Sequence, residues 1–200
     1  MKMDLEKLLD FVKFTHEIRN VQRAVLFESE DRHENDAEHG YQMALVAWFL
    51  IEIHNLKLDV LRCVGMAMVH DITEVYAGDV SIFASKKERK IQIAKEREAA
   101  KQFMKDWSTF TSLHELIDEY VKHETPEGKF VYALDKLMPE INNYLYEGRA
   151  WKAQKVTLEK VKEIKKGKIE VDATINNYHQ KLLGLMKDSD IFWHPDSVKE

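Results

Sequence analysis

Residues 69–79 read Val69-His70-Asp71-Ile72-Thr73-Glu74-Val75-Tyr76-Ala77-Gly78-Asp79. An adjacent His and Asp near the end of an apolar helical pattern is the start of a metal site. From about Asp59 to Val75 the spacing predicts one helix. Cys63, Ala67, His70 and Glu74 share one stripe, and Val60, Val64 and Met68 share its neighbour. His70 and Glu74, four apart, then project together with Asp71 beside them. Gly78 is a natural C-terminal stop.

Two further stretches complete the constellation. Upstream lies Glu34-Asn35-Asp36-Ala37-Glu38-His39, and downstream Leu134-Asp135-Lys136-Leu137. Asn35 or Asp36 caps a helix running to about His54, with Glu38 in its first turn. His39, Met43, Val46, Leu50 and Ile53 recur in steps of four and three, which puts His39 on a buried stripe. Asp135 stands beside the apolar positions of a third helix, Lys129–Glu147, in which Pro139 predicts a kink. Unpaired carboxylates are costly to bury, so two of them beside core stripes call for a cation. Two imidazoles and two carboxylates suit a divalent transition metal such as Mn, Co, Fe, Ni or Zn without selecting among them.

The rest of the chain frames these stretches. It has 200 residues, a length for one domain with a real core, and only 7 Gly and 3 Pro. So few turn residues favour long helices over a sandwich or barrel. Helices are expected over about 4–18, 87–106, 112–124, 151–165 and 169–187. Residues 19–35 are polar, without a sustained period, and read as a loop with room for one short helix. Residues 79–87 read as a second loop. The run Lys86-Lys87-Glu88-Arg89-Lys90 reads as a solvated face. Thr125-Pro126-Glu127-Gly128 separates two helices, and the tail from Asp188, with Trp193-His194-Pro195, reads as a docked or frayed end.

Composition narrows the function classes. The net charge of −5 gives no general support for binding a nucleic-acid backbone. The single cysteine, Cys63, excludes an intrachain disulfide and reads as a small buried hydrophobe, which suits a reducing cytosol. The N-terminus carries no apolar signal segment, and no stretch is long enough to span a bilayer. A cytoplasmic protein is expected.

The stretches Glu34–His39, His70–Asp79 and Asp135-Lys136-Leu137 together resemble the HD-domain metal-dependent phosphohydrolases. Among these the chain is most similar to the YfbR-like 5'-deoxynucleotidases and their oxetanocin-like relatives. The resemblance covers about residues 10–147, in the family's order and at family-like separations. It implies an all-α fold, a single HD-domain helical bundle over 1–200 with C-terminal helices at about 150–187, and a homodimer. It implies His39, His70, Asp71 and Asp135 as ligands of one divalent metal. Glu74 matches the acidic residue that positions or activates the attacking water, and Asp79 a carboxylate beside the sugar and leaving group. Arg23, allowing a one-residue shift, matches the arginine that holds the substrate phosphate. Glu119 matches an acidic substrate-pocket residue, and Ser81 a hydroxyl position.

The activity so implied is hydrolysis of a (deoxy)nucleoside 5'-monophosphate to nucleoside and phosphate. One departure stands out: Ala24 follows Arg23 where the nucleotidases carry an aromatic associated with choosing the deoxy sugar, with Phe27 as a nearby substitute. Three rivals are kept. A binuclear HD phosphodiesterase or di-iron oxygenase needs extra histidines, but His114 and His123 lie nine apart on one expected helix and point about 180° from each other. A (p)ppGpp-type pyrophosphohydrolase uses a related helical frame. The third is a metal-stabilised binding protein without catalysis.

Overall fold

A computed structural model describes residues 4–26 and 32–194. Phe27 and Pro195 lie outside the described residues. Among the described residues, ten α-helices and one two-stranded ribbon succeed one another. They are α1 (Leu5–Glu17), a 3-10 turn (Ile18–Asn20), β1 (Gln22–Leu26), β2 (His33–Asn35), α2 (Asp36–Ile53), α3 (Val60–Val69), α4 (Glu74–Ala77), α5 (Lys86–Asp106), α6 (Thr111–Lys122), α7 (Pro126–Leu145), α8 (Arg149–Ala153), α9 (Leu158–Lys165) and α10 (Ala173–Lys187). The fold is all-α, as expected.

The long helices begin where capping chemistry puts them. Asn35 and Glu38 make a reciprocal capping box at α2, Ser85 and Glu88 make another at α5, and Thr125 with Pro126 opens α7. The core is built on α7. Phe130, Val131, Ala133, Leu134, Leu137 and Met138 are essentially sealed there, against Met43 and Ala47 of α2, Met66 and Ala67 of α3, and Ile175 and Met186 of α10. Cys63 is fully buried among them, and burial pushes its thiol up to about 12. A smaller core joins Phe14, Ile72, Phe103 and Leu113.

Several expectations are corrected. Residues 22–26 and 33–35 are not loop: β1 and β2 pair antiparallel, Gln22 opposite Asn35 and Leu26 opposite His33. The helix expected over 59–75 is broken at His70. The Ala67 carbonyl, which a continuous helix would offer to the Asp71 N–H, accepts the His70 Nδ1–H at 2.9 Å. The chain then tightens into three-residue steps, Ile72 N–H to Val69 O and Glu74 N–H to Asp71 O, before α4. In α2 the four-and-three stripe drifts round the helix, because its average of 3.5 residues per step falls short of 3.6 per turn. Ile53 is therefore half exposed, and the sealed positions are His39, Met43, Ala47 and Leu50.

Two more differences concern the ends. Leu5, Leu8 and Leu9 of α1 stay largely exposed, and only Phe14 of that helix is buried. The C-terminal pair is three helices, folded back on the rest. Trp193 N–H bonds Val156 O at 3.0 Å, and Phe192 stacks on Trp151 at 5.0 Å, so the tail is docked at least as far as Trp193. Gly148 makes this return, with φ +64; any Cβ there would collide with the Ile191 carbonyl.

Candidate active site

Three helical segments deliver four side chains to one point. His39 comes from the second turn of α2, His70 and Asp71 from the break after α3, and Asp135 from the middle of α7. Each offers a nitrogen or oxygen within 4.8 Å of all the others. Asp135 Oδ1 lies 3.3 Å from His39 Nε2 and 3.4 Å from His70 Nε2, and Asp71 Oδ2 lies 3.0 Å from His70 Nε2.

The groups behind these atoms fix their direction. The His70 Nδ1–H is committed to Ala67 O, which turns Nε2 toward the two aspartates. His39 Nδ1 faces Glu34 at 3.7 Å. Asp135 divides its oxygens. Oδ1 faces the imidazoles, while Oδ2 accepts from the Tyr120 hydroxyl at 2.6 Å and from Lys136 Nζ at 2.5 Å. His70 Nε2 is buried without a hydrogen-bond partner. A buried, unpaired nitrogen between two carboxylates, within a set of two nitrogens and two oxygens, fits a divalent transition cation.

The same geometry shifts the titrations. Burial works against a charged His70, but Asp71 and Asp135 outweigh it and hold the imidazolium up to about 10. Burial, then Arg23, pushes His39 down to about 4. Asp71 stays well below the usual carboxylate range: burial opposes this, but His70 and Arg23 prevail. Glu74 is pushed up to about 11 by burial and by the neighbouring Asp71, Asp36 and Asp79. Without a cation, then, the cluster keeps protons on His70 and Glu74 at neutral pH.

Beside the cluster opens a cavity of about 320 Å³. Of the residues singled out in the sequence, Arg23, Asp71, Glu74, Asp79, Ser81 and Asp135 line it. Arg23 Nη1 donates to Asp36 Oδ1 at 3.1 Å and Asp71 Oδ2 at 2.6 Å, with Nε 3.6 Å from Glu34. Glu119 is not part of the cavity wall. Its carboxylate is taken by Arg62 of α3 and the Thr125 hydroxyl. Nor do the spare histidines reach the cluster. His114 bonds Trp107 O at 2.9 Å, and His123, in a left-handed cap after α6, stacks on Tyr132 at 4.1 Å.

Some residues here carried no sequence signal of a role. Asp36, read only as a helix cap, forms a carboxylate trio with Asp71 and Glu74, again with oxygens within 4.8 Å. Lys136, Gln154 and Lys165 also line the cavity. Gln154 follows α8 and Lys165 ends α9, where periodicity says nothing about which side meets a cavity.

Comparison with known proteins places the chain. It matches the HD domain family over residues 15–175. It is 32% identical over 136 residues to 5'-deoxynucleotidase HDDC2 of Xenopus laevis, covering 66% of this chain and 65% of that protein. It is likewise 32% identical over 132 residues to the protein of that name from Homo sapiens, covering 64% and 63%. The chain thus spans just under two thirds of the curated relatives it matches. Among solved structures, a predicted metal-dependent phosphohydrolase from Magnetospirillum magnetotacticum MS-1 superposes with a TM-score of 0.80 at 28% identity, over 95% of this chain and 98% of that one. An HD-domain phosphohydrolase from Listeria innocua shares the fold, with a TM-score of 0.61 at 19% identity over 92% of each chain.

Proposed function

Because the chain belongs to the HD domain family, we propose that it is a metal-dependent phosphohydrolase cleaving (deoxy)nucleoside 5'-monophosphates to nucleoside and phosphate. The observation that carries this reading is the convergence of His39, His70, Asp71 and Asp135, of which Asp71 and Asp135 line a cavity that also holds Arg23 and Glu74. The names of the relatives, 5'-deoxynucleotidase and metal-dependent phosphohydrolase, support it.

His39, His70, Asp71 and Asp135 would hold one divalent cation, with Mn, Co, Fe, Ni and Zn all compatible with the donors. Such a cation lowers the pKa of water from about 15.7 towards about 7 and absorbs charge from a phosphoryl oxygen. The chain's own residues do the rest. Glu74, beside Asp71 on the cavity wall, would give up its own proton when a cation offsets the charge of Asp71, and its carboxylate then takes the proton from the attacking water. Arg23 supplies guanidinium N–H groups to the phosphate. Water attacks phosphorus, the bond from phosphorus to O5' breaks, and Asp79 or solvent returns a proton to the leaving oxygen. Ser81 borders the sugar. Glu119, which the resemblance placed in the substrate pocket, takes no part in this scheme, since Arg62 and Thr125 occupy it.

We read the chain as one unit, C-terminal helices included, because α10 packs against α7. We also propose a cytoplasmic homodimer. Among the described residues no helix is long and apolar enough to cross a membrane. The outer face of α2 supports the dimer: Tyr41 is 67% exposed, Trp48 52% and Phe49 60%, with Leu45 and Ile53 beside them. A helix apolar all round is normally covered on both faces.

A phosphate-release screen across nucleoside monophosphates, pyrophosphorylated nucleotides and phosphodiesters, with Mn, Co, Mg and chelator arms, tests the reading. Metal-dependent release from 5'-monophosphates is expected. Release only from the longer phosphates would overturn it. Glu74→Gln should abolish turnover while metal content, by elemental analysis, stays at one per chain; two per chain would favour the binuclear rival.

A further inference from the structure

Pro139 interrupts α7 one turn beyond Asp135. A proline has no N–H to give the carbonyl one turn back, which here belongs to Asp135, and its ring crowds that carbonyl. The turn that carries an expected metal ligand is therefore short of a hydrogen bond. What braces it comes from the C-terminal segment. Lys165, the last residue of α9, donates from Nζ to the Lys136 carbonyl. Lys136 in turn sets its own Nζ on Asp135 Oδ2 at 2.5 Å and on the Tyr120 hydroxyl at 3.3 Å. Behind Lys165 stands Glu140 at 4.0 Å, and behind Glu140 stands His179 of α10 at 3.3 Å. A file of contacts thus runs from α9 and α10 to Asp135, whose Oδ2 is held while Oδ1 faces His39 and His70.

The side chains of Lys165 and Glu140 are only 4% and 1% exposed, so the pair has given up nearly all its water. Sealing an ammonium and a carboxylate costs stability that methionine and glutamine in their places would not. Packing alone gives no reason for the cost. We propose that Lys165 is a positioning residue for the metal centre. By holding the Lys136 carbonyl it fixes the turn that Pro139 loosens, and so keeps Asp135 Oδ1 aimed at the two imidazoles. Glu140 and His179 keep Lys165 in place. The C-terminal helices thereby shape the centre without supplying a ligand to it. The inference rests on the metal set proposed above and is independent of which phosphate ester is cleaved.

The test is metal affinity in a variant that keeps the charge balance. Lys165→Met with Glu140→Gln removes one positive and one negative charge, so the field at the metal set changes little and the brace is lost. Affinity for Mn and Co, by calorimetry, should fall about tenfold, with the fold retained by circular dichroism. The visible spectrum of the Co-loaded protein, which follows ligand geometry, should shift. Met186→Ala, a core truncation at the far end of α10, lowers stability without touching the brace. It should leave metal affinity within about twofold of the parent. Parental affinity and an unshifted Co spectrum in the double variant would overturn the inference and leave the metal set standing. Equal weakening in Met186→Ala would overturn it as well, reducing the effect to general loosening. So would a raised nucleotide KM at unchanged metal affinity, which would make Lys165 a substrate contact. A parent chain that takes up neither Mn nor Co would sink the metal set and this inference together.

Discussion

Arg23 Nη1 lies 2.6 Å from Asp71 Oδ2, the oxygen that also faces His70 Nε2 at 3.0 Å. One guanidinium thus joins an expected metal ligand to Asp36 and Glu34, both of which are buried. The arrangement gives Arg23 two duties, toward the phosphate and toward three carboxylates, and the two can be separated by mutation. Arg23→Lys keeps the charge and loses the planar fork. Nucleotide KM should rise about 10- to 100-fold with the fold retained, the loss expected for a charge-assisted hydrogen bond. Arg23→Ala strips the cation from buried acids and should cost about 3–5 kcal/mol of stability, read by denaturant titration. A fully stable Arg23→Ala protein would contradict the structural duty.

Metal binding should release protons. His70, held up to about 10, carries a proton at neutral pH in the cation-free protein, whereas His39, down at about 4, does not. A cation cannot take His70 Nε2 until that proton leaves. Calorimetry at pH 7.5 in buffers of differing ionisation heat should count at least one proton released per metal. Affinity should then weaken about tenfold for each pH unit lost below neutrality. The sign for the cation-free fold comes from the raised value. Its contribution to stability is complete below about pH 6.5, the ordinary histidine range, and is lost as pH rises through about 10. A proton count of zero would remove His70 from the ligand set.

What the sequence disclosed, and what it withheld, depends on how far each interaction reaches. Helix α2 announces itself through local chemistry, because its cap and the partner of that cap sit three residues apart. The same chemistry stands at Ser85 and Thr125, but those stretches read as a loop and a break, so α7 begins three residues before the expected Lys129 and α5 one before residue 87. The β1–β2 ribbon does not announce itself. Arg23 and His33 are polar, and nothing local tells a strand whose partner is thirteen residues away from a loop. The break at His70 is set by one ring nitrogen taking one backbone carbonyl, a choice no periodicity records. Within the site, the residues carried by short motifs come together, while Glu119, named only through the family resemblance, turns to Arg62 instead. Gln154 and Lys165 come from the C-terminal segment, just past α8 and at the end of α9. Their place on the wall depends on how that segment folds back around Gly148.

Lys165 shows what the segment does for the interior. Its ammonium is sealed, bonds the Lys136 carbonyl and stands 4.0 Å from Glu140, which also faces His179 at 3.3 Å. Burial pushes Lys165 down to about 8, against the pull of Glu140. The unfolded chain therefore holds this proton to a higher pH than the folded one. Folding stability should rise with pH between about 8 and 10.5, by about 3 kcal/mol from this group. Metal-loaded protein is the sample to use, since a ligated His70 no longer titrates with the opposite sign. Lys165→Met alone should destabilise by about 3–5 kcal/mol, leaving Glu140 buried without its cation. Lys165→Met with Glu140→Gln should recover much of that and flatten the pH slope relative to the parent. An unchanged slope in the double variant would show that the proton belongs elsewhere.

The outer face of α2 makes the proposed dimer testable without activity. Tyr41, Leu45, Trp48, Phe49 and Ile53 fall within one broad stripe, opposite the face that carries His39, Met43, Ala47 and Leu50 into the core. From their exposure the five present roughly 500 Å² of side-chain surface, at the upper end of the largest apolar patch on an ordinary monomer. Two such faces together would bury roughly 1,000 Å², enough for a specific interface once flanking residues join. Trp48→Glu and Phe49→Glu change only side chains that point away from the core, so secondary structure and melting temperature should hold near parental values. Each introduces an unpaired charge into an apolar contact and should weaken association at least a hundredfold. Light scattering coupled to size exclusion reads this directly: a dimer for the parent at micromolar concentration, a monomer for both variants. A parent that runs as a monomer, or glutamate variants that stay dimeric, would place the interface elsewhere or remove it.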